Sequence, residues 1–473
     1  MYTRTTQNIK TVSKLLSITG LLLAPLSIQA QSDGQALLPY KKDHYPSTYK
    51  ALASEPVAIT NATILDGAGS QIDNGMLLME GGKITAIGAN IQVPEGMRIF
   101  DGTDKWVTPG IIDIHTHVGV SSRQHPSLSD GNEMTGPIQA RLWVEHSLWP
   151  QHPGFARALA GGVTTMQVLP GSGNLIGGRS IIIKNVPART MQGMKFPDAP
   201  YGLKMACGEN PKRAYGGMGS APATRMANVA GYRQAFIEAA EYKRDWEDYL
   251  VKIEDGEDVR PPTRDLGMDT LAAVLDDDIF VNNHCYRADE LAVMMDLAKE
   301  MGFKITAFHH TIEAYKVADL LAENDVCAVM WSDWWGYKLE ALDGVLENIA
   351  LVEKAGACAI AHSDSEAVMQ RMNQEIAKAM AAGNRIGLDI SRAEAIRWIT
   401  SNPARAMRID DKVGSLEVDK QADVVIWTTD PFSVYALAEH VFIDGAHIYD
   451  RNDPSKQPQS DYELGIVKRG DHQ

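Results

Sequence analysis

Two histidines, His115 and His117, follow a short apolar segment at residues 111–114. The β-branched residues of this segment come after a Pro-Gly pair, which predicts a buried strand entered from a turn. Residues at positions i and i+2 of an extended chain point to the same side, so both imidazoles can reach one point beyond the strand. Converging neutral imidazoles suit a borderline metal ion such as zinc. Taken alone, a His-x-His pair is more often a pair of hydrogen-bonded loop residues.

Further side chains that bind metals stand at the ends of later strand-like segments. They are His284, His309, His310 and Asp364. Each one alone is better explained as a satisfied polar residue or a turn residue. In a parallel barrel, however, the carboxyl ends of the strands meet at one rim, where the chemistry of such folds takes place. Histidines and a carboxylate that meet at one rim predict a metal centre.

The elements that must position these residues are eight strand-like segments that alternate with helical stretches. The segments are 111–115, 163–169, 180–184, 202–206, 279–284, 304–309, 326–331 and 358–362. This alternation predicts an α/β fold, the (β/α)8 TIM barrel, over residues 107–405. Residues 226–278 do not fit the repeat and are predicted to be an insertion, which forms a lid, an oligomer contact or a solvated excursion.

The flanks of the predicted barrel have a different sequence pattern. Short strand-like runs separated by Gly and Asn turns occupy residues 31–106, and the same pattern returns in residues 406–473. Runs of this kind predict short β-strands joined by tight turns. We expect the two flanks to be halves of one small β-sandwich, brought together by the neighbouring ends of the barrel between them.

The N-terminus predicts export. A basic segment at residues 4–14 precedes an apolar run from Leu15 to Ile28, and Ala30 follows at a plausible cleavage point. This arrangement is typical of a secretory signal peptide, here residues 1–30. The run is shorter than the ~20 apolar residues that a spanning helix needs. We expect a soluble mature protein that is periplasmic or secreted and does not contact the membrane. A retained N-terminal anchor is the lesser alternative.

The net charge indicates which partners the protein does not bind, and the cysteine spacing indicates whether disulfides form. The net charge is −15, which argues against nucleic acid or an anionic membrane as a partner, since both attract basic surfaces. The cysteines show no Cys-x-x-Cys spacing and lie in or beside apolar runs. Buried free thiols are therefore expected, although an exported protein is permitted disulfides. The cysteines are Cys207, Cys285, Cys327 and Cys358.

The sequence resembles the amidohydrolase superfamily of metal-dependent hydrolases over nearly the whole expected mature chain. The resemblance rests on P-G-I-I-D-I-H-T-H, G-G-V-T-T-M-Q-V-L-P-G-S-G-N-L-I-G-G, L-K-M-A-C-G-E-N-P-K-R, H-C-Y-R-A-D-E-L, H-T-I-E-A-Y-K-V-A-D and H-S-D. The imidazolonepropionase-like and prolidase-like branch is the most similar part of the superfamily. The resemblance implies one or two divalent metal ions, with zinc the leading candidate, held by His115, His117, His284, His310 and Asp364.

The ligand that would bridge two metals has two candidates. Binuclear members of the superfamily use a carboxylated lysine on the fourth strand or a glutamate, and this chain offers Lys204 and Glu209. Glu209 is favoured, because a carboxylate is already anionic and lies nearer the expected mouth of the barrel, whereas a lysine must first be carboxylated. His310 is preferred to His309 as a ligand, because it holds the offset to E-A-Y-K. His309 departs from related sequences and could line the pocket.

The implied function is that of an exported amidohydrolase that cleaves a carbon–nitrogen bond in a small amide, peptide or cyclic amide. Metal-bound hydroxide attacks the carbonyl, Asp364 transfers the proton to the leaving nitrogen, and His284 helps to polarise the carbonyl. One alternative is a mononuclear imidazolone- or deaminase-type hydrolase, in which Lys204 and Glu209 have no role. Another is a catalytically inactive protein that binds a metal or a ligand. A homo-oligomer is left open.

Three tryptophans follow the seventh strand-like segment, in M-W-S-D-W-W-G-Y. Large aromatic side chains at this position either wall the pocket or pack against the rim of the barrel. They are Trp331, Trp334 and Trp335.

Overall fold

The computed structural model of the chain describes residues 38–121 and 129–457. The expected signal peptide, residues 1–30, lies outside these ranges and stays a prediction. Across the described ranges, no helix combines the length and the hydropathy that crossing a bilayer demands.

The N-terminal flank forms β-strands, as its sequence pattern predicts. The strands are β1 (Val57–Leu65), β2 (Gln71–Glu80), β3 (Lys83–Gly88), β4 (Arg98–Asp101) and β5 (Trp106–Pro109). β1 pairs with β2 in antiparallel orientation and with β4 and β5 in parallel orientation. Gly81 and Gly82 join β2 to β3 with φ values of +60° and +81°. Two consecutive positive φ values suit the tight hairpin turn between antiparallel strands.

A second sheet follows, and it holds the candidate site. Its strands are β6 (Ile111–Thr116), β7 (Val163–Val168), β8 (Ile176–Lys184), β9 (Gly202–Ala206), β10 (Phe280–His284), β11 (Ile305–His309), β12 (Cys327–Met330) and β13 (Ala359–Ala361). Neighbours in the sheet are neighbours in the sequence from β6 to β13. All eight agree in position with the strand-like segments of the sequence to within a few residues. A mixed α/β fold with sequential strands is therefore confirmed.

The sheet departs from a regular (β/α)8 barrel at its third strand. β8 runs antiparallel to both β7 and β9, whereas the repeat predicts parallel neighbours. The reason is the short connection between Val168 and Ile176, which contains no helix. A parallel neighbour needs a crossover of a dozen or more residues, so a connection of this length returns the chain in the opposite direction.

The sheet curls until its last strand approaches its first, which is consistent with a barrel. The backbone N–H of Asp364, just past β13, donates to the carbonyl of His115 on β6 at 3.0 Å. Apolar side chains from most of the strands, including Ile112, Phe280 and Ile360, form one buried cluster inside the curled sheet. Because side chains alternate along a strand, Asn282 and His284 share the inward face with Phe280. The apolar interior thus leads directly to polar residues at the rim.

The C-terminal flank completes the first sheet. It contributes β14 (Val424–Trp427), β15 (Ala438–Ile443) and β16 (Ala446–Asp450). β14 pairs with β5 in antiparallel orientation, so strands from both flanks share one sheet. The described strands of the two flanks form one branched sheet. The predicted β-sandwich is therefore not confirmed.

Most of the helices follow strands of the curled sheet in the sequence. In the described ranges they are α1 (Pro153–Ala160), α2 (Glu209–Gly216), α3 (Arg225–Glu254), α4 (Leu266–Leu275), α5 (Ala288–Met301), α6 (Ala318–Glu323), α7 (Asn348–Lys354), α8 (Met372–Arg385), α9 (Arg392–Ala395) and α10 (Ser401–Ala406). α3 and α4 occupy the expected insertion between β9 and β10. Thr224 begins α3 as an N-cap that accepts from the N–H of Ala227, a favourable helix start. The role of the insertion remains a prediction.

The cysteines are paired, so the expectation of buried free thiols is wrong. Cys207 bonds Cys285 and Cys327 bonds Cys358, with Cα–Cα distances of 5.2 and 4.4 Å. The partners stand 78 and 31 residues apart in the sequence. Each pair connects neighbouring strands of the curled sheet, β9 with β10 and β12 with β13. Equivalent positions on adjacent strands lie within disulfide range, and only the strand order reveals this proximity.

Candidate metal centre

The carboxylate of Asp364 lies among three of the predicted histidines at the rim of the sheet. Its Oδ1 atom is 3.3 Å from Nε2 of His117 and 3.7 Å from Nε2 of His115. Its Oδ2 atom is 4.0 Å from Nδ1 of His310. Asp364 and His310 both have positive φ values, 46° and 64°. Such conformations cost energy for residues other than glycine, and they concentrate where the chain must aim a functional side chain.

At this rim, potential ligand atoms cluster into two overlapping groups. His115, His117 and Asp364 form one group, and His115, His310 and His362 form the other; within each, the ligand atoms lie within 4.8 Å of one another. His115, His310 and His362 are buried. Imidazole nitrogens and a carboxylate oxygen at this spacing are a donor set that suits zinc.

His117 is held with one ring nitrogen turned toward Asp364. Its Nδ1 lies 2.8 Å from the carbonyl oxygen of Leu169, just past β7. A carbonyl can only accept, so Nδ1 carries the ring proton and Nε2 keeps a lone pair. Burial lowers the pKa of His117 to about 4, and the charge of Lys204 adds to the effect. The imidazole is therefore neutral at neutral pH, as a metal ligand must be.

His284 and His310 lie beside each other on the other side of the group. Their ring centroids are 4.6 Å apart, and neither Nδ1 atom has a hydrogen-bond partner among the described residues. Nε2 of His284 is 3.2 Å from the side-chain amide nitrogen of Asn210. Burial lowers the pKa of both histidines well below the usual range. Buried polar atoms normally have partners, so these nitrogens fit a bound group that supplies one.

The two candidates for the bridging ligand occupy different places. Lys204 is buried on β9, with Nζ 3.4 Å from Nε2 of His115. Burial lowers the pKa of Lys204 to about 7, although the charge of Asp364 acts in the opposite direction. Glu209, the first residue of α2, lies 3.5 Å from Nζ of Lys338. None of the groups of potential metal ligands in the described part of the chain includes Glu209. The structure thus brings Lys204, and not Glu209, to the histidines.

His362 and His309 are buried near the site, and the sequence alone does not assign them a role. His362 lies with its ring centroid 4.8 Å from that of His310, and its ring nitrogens have no hydrogen-bond partner among the described residues. Its place before Ser363 and Asp364 in H-S-D was the available signal. His309 lies behind His115 and not against the cavity, with their Nδ1 atoms 2.7 Å apart.

A cavity of about 790 Å³ opens above these residues. Its walls include His117, His284, His310 and Asp364, and it is also lined by Asn210, Arg213 and Lys338. The tryptophans that follow β12 line this cavity as well: Trp331, Trp334 and Trp335.

One wall of the cavity is aromatic. Trp331 stacks on His310 with ring centroids 4.4 Å apart and on Trp334 at 5.4 Å. The ammonium of Lys338 lies 3.9 Å from the centre of the Tyr286 ring, a distance at which a cation is attracted to the ring face. The cavity therefore combines a flat apolar wall with cationic groups next to the cluster of histidines.

Comparisons with known proteins place these features in a family. A profile described as "Amidohydrolase family" matches residues 308–448. The crystal structure of an amidohydrolase from Thermotoga maritima MSB8 superposes with a TM-score of 0.76 and 31% identity; the match covers 84% of this chain and 100% of that chain.

Two proteins related in sequence also belong among the amidohydrolases and imidazolonepropionases. "Amidohydrolase tasK" of Hapsidospora irregularis is 32% identical over 398 residues, which are 80% of this chain but 40% of that longer protein. The imidazolonepropionase of Alkaliphilus oremlandii (strain OhILAs) is 23% identical over 409 residues, covering 78% of this chain and 87% of the relative. With the Thermotoga structure matched along its whole length, these likenesses show that the chain belongs to the amidohydrolase family and is a hydrolase that acts on carbon–nitrogen bonds.

Proposed function

We propose that this protein is a metal-dependent amidohydrolase that cleaves the amide bond of a small amide, peptide or cyclic amide. The observation that carries the proposal is the position of Asp364, whose carboxylate lies 3.3 Å from Nε2 of His117 and 3.7 Å from Nε2 of His115. A carboxylate beside two neutral imidazoles can bind a metal and can also move a proton. Both roles are needed for hydrolysis at neutral pH.

The residues fit one or two divalent ions, with zinc the leading candidate. His115, His117 and Asp364 would hold one ion, and His284 and His310 would hold the second. The buried Nδ1 atoms of His284 and His310, which have no partner among the described residues, support the second position. Zinc binds such nitrogens and carboxylate oxygens at about 2.0–2.2 Å.

We propose Lys204 as the bridging ligand, carboxylated on Nζ, in place of Glu209. A lysine reacts with carbon dioxide only as the neutral amine. The burial that lowers the pKa of Lys204 to about 7 makes that form available at neutral pH. Its Nζ lies 3.4 Å from Nε2 of His115, whereas Glu209 is paired with Lys338. If one metal binds per chain, the mononuclear imidazolone-type hydrolase becomes the better assignment.

The residues of the site would divide the hydrolysis between them. A bound divalent metal lowers the pKa of water toward ~7 and polarises a carbonyl oxygen. The carboxylate of Asp364 accepts a proton from the attacking water, whose oxygen forms a bond to the carbonyl carbon. Asp364 then donates this proton to the nitrogen as the carbon–nitrogen bond breaks, and an acid and an amine are released. The aromatic wall around Trp331 would pack against the substrate and hold it next to this group.

Export is part of the same proposal. The basic and apolar N-terminal sequence supports a signal peptide at residues 1–30. The disulfides Cys207–Cys285 and Cys327–Cys358 support it as well, because disulfides persist in oxidising compartments.

Hydrolysis of a panel of N-acyl amino acids, dipeptides and cyclic amides, monitored by released amine, tests the function. We expect at least one class to be hydrolysed by the zinc-reconstituted protein. Asp364→Asn should abolish turnover, because an amide cannot accept the proton, while a neighbouring control, Glu366→Gln, should retain it. Full activity in Asp364→Asn would contradict the proposed role.

A further inference from the structure

Three buried side chains form a row of hydrogen bonds that leads from the candidate metal centre into the interior of the curled sheet. Nδ1 of His115 lies 2.7 Å from Nδ1 of His309, and Nε2 of His309 lies 2.9 Å from Oδ1 of Asn282. The three residues have no exposed surface. They come from three strands, β6, β11 and β10, so the contact is a property of the barrel and not of one loop.

The ring nitrogens of His309 face only neutral groups, Nδ1 of His115 and Oδ1 of Asn282. A buried imidazolium at this position would have no counter-ion, so His309 is a neutral ring that carries one proton. Two nitrogens at 2.7 Å must share a single proton, since two protons would collide and two lone pairs would repel. The proton position on one ring therefore fixes the proton position on the other.

The shared proton can lie on Nδ1 of His115 or on Nδ1 of His309, and the orientation of the Asn282 amide decides which of the two carries it. If its oxygen faces His309, Nε2 of His309 must donate, Nδ1 of His309 must accept, and Nδ1 of His115 carries the proton. Nε2 of His115 then keeps a lone pair, directed toward Lys204 and Asp364. If the amide nitrogen faces His309, every step reverses. Nε2 of His115 then carries the proton and cannot bind a metal.

The contact with Lys204 supports the first arrangement. The Nζ atom of Lys204 lies 3.4 Å from Nε2 of His115, and an ammonium group can only donate, so Nε2 accepts and the ring proton of His115 lies on Nδ1. Nδ1 of His309 then accepts, and Nε2 of His309 donates to the amide oxygen of Asn282 at 2.9 Å. The amide nitrogen of Asn282 has no hydrogen-bond partner among the described residues.

We propose that Asn282 and His309 are positioning residues that set the tautomer of His115, so that its Nε2 is available to a metal. The proposal rests on the metal centre of the proposed function and extends it to two residues that touch neither metal nor substrate. Partners that fix the tautomer of a ligating histidine change metal affinity by about 10- to 100-fold when they are removed. His309, the first histidine of the H-H pair, thus has a role that differs from both ligation and pocket lining.

Zinc affinity of the full-length protein, measured by competition with a chromophoric chelator, tests the proposal. Asn282→Leu keeps the approximate shape and removes the acceptor, and we expect zinc to bind about 10- to 100-fold more weakly. Asn282→Asp can only accept, so it should bind zinc at least as tightly as the natural protein. Asn283→Leu, the same change one residue along β10 on its other face, is the matched control. Natural affinity in Asn282→Leu, or equal loss in Asn282→Asp and Asn282→Leu, would overturn the proposal.

A second measurement does not depend on metal binding or on a folded variant. Two-bond ¹H–¹⁵N correlation spectra of the natural metal-free protein, with ¹⁵N-labelled histidine, report which ring nitrogen of His115 is protonated. We expect the proton on Nδ1, and a proton on Nε2 would overturn the proposal. If the natural protein binds no zinc, the proposed function fails, whereas the tautomer of His115 still decides the inference about Asn282 and His309.

Discussion

The Nζ atom of Lys204 lies 3.4 Å from Nε2 of His115, on the buried inner face of the curled sheet. A charged ammonium at this distance would repel a cation bound to His115. A carboxylated Lys204 would instead present oxygens to it. The chemical state of this one side chain therefore decides whether the site holds a pair of metals.

Lys204→Met should lower the metal content from about two ions per chain to about one, because a two-metal site needs its bridging oxygens. Glu209→Gln is the matched control, and we expect it to keep the natural metal content, since its partner is Lys338. Metal analysis of both purified variants measures the difference. Loss of metal in Glu209→Gln with full content in Lys204→Met would restore the assignment that the sequence favoured.

Lys184, the last residue of β8, connects the curled sheet to the sheet formed by the two flanks, here called the flank sheet. Its Nζ is buried and lies 2.8 Å from Asp444 and 3.3 Å from Asp423. Lys184→Met leaves two buried carboxylates without their cation, and breaking a buried pair in this way costs about 3–5 kcal/mol. Urea denaturation should show this loss of unfolding free energy. The exposed Lys299→Met should change stability by less than about 0.5 kcal/mol, and a similar small change in Lys184→Met would contradict the account.

His447 makes the flank sheet sensitive to acid. Burial lowers its pKa to about 4, and the neighbouring His440 contributes. The folded state therefore binds this proton less readily than the unfolded chain, whose histidine has a pKa near ~6.5. Stability should be complete above that value and should fall as the pH drops toward 4.

His447→Gln, which cannot be protonated, should reduce the loss of stability between pH 6.5 and 4 relative to the natural protein. Thermal unfolding across this pH range measures the effect. His44→Gln, an exposed position, is the control and should follow the natural profile. Identical pH profiles of His447→Gln and the natural protein would show that His447 is not the sensor.

The disulfide between Cys207 and Cys285 should stabilise the barrel near the site. It closes a long loop, with 78 residues of separation, and such cross-links typically contribute about 2–4 kcal/mol. Replacing both cysteines by alanine should therefore lower the unfolding free energy by about this amount. Because Cys285 follows His284 directly, the same variant should bind metal more weakly. The Cys327→Ala, Cys358→Ala pair lies at the other end of the strands and should lower stability without changing metal affinity.

Equal metal affinity in both double variants would show that the first disulfide does not support His284.

The sequence predicts those features that depend on local spacing. The strand positions and the meeting of His115, His117 and Asp364 follow from alternation within strands and from the common rim of a barrel. The antiparallel β8 could not be predicted, since its direction depends on the length of a connection without recognisable structure. The disulfides depend on which strands are neighbours. The choice between Lys204 and Glu209 depends on which of the two side chains reaches the histidines, and the sequence does not show this distance. Lys204 is fully buried yet lies within reach of His115, whereas the charge of a carboxylate and its expected place near the mouth of the barrel favour Glu209.

The central claim is that His115, His117 and Asp364 hold a divalent metal. A crystal structure of the zinc-reconstituted protein, with anomalous data collected at the zinc absorption edge, tests it most directly. We predict a peak within about 2.0–2.2 Å of Nε2 of His115, of Nε2 of His117 and of the carboxylate of Asp364. A second peak about 3.5–4 Å away, next to His284 and His310, would establish the binuclear site. No anomalous peak at His115 and His117 after reconstitution would contradict the account.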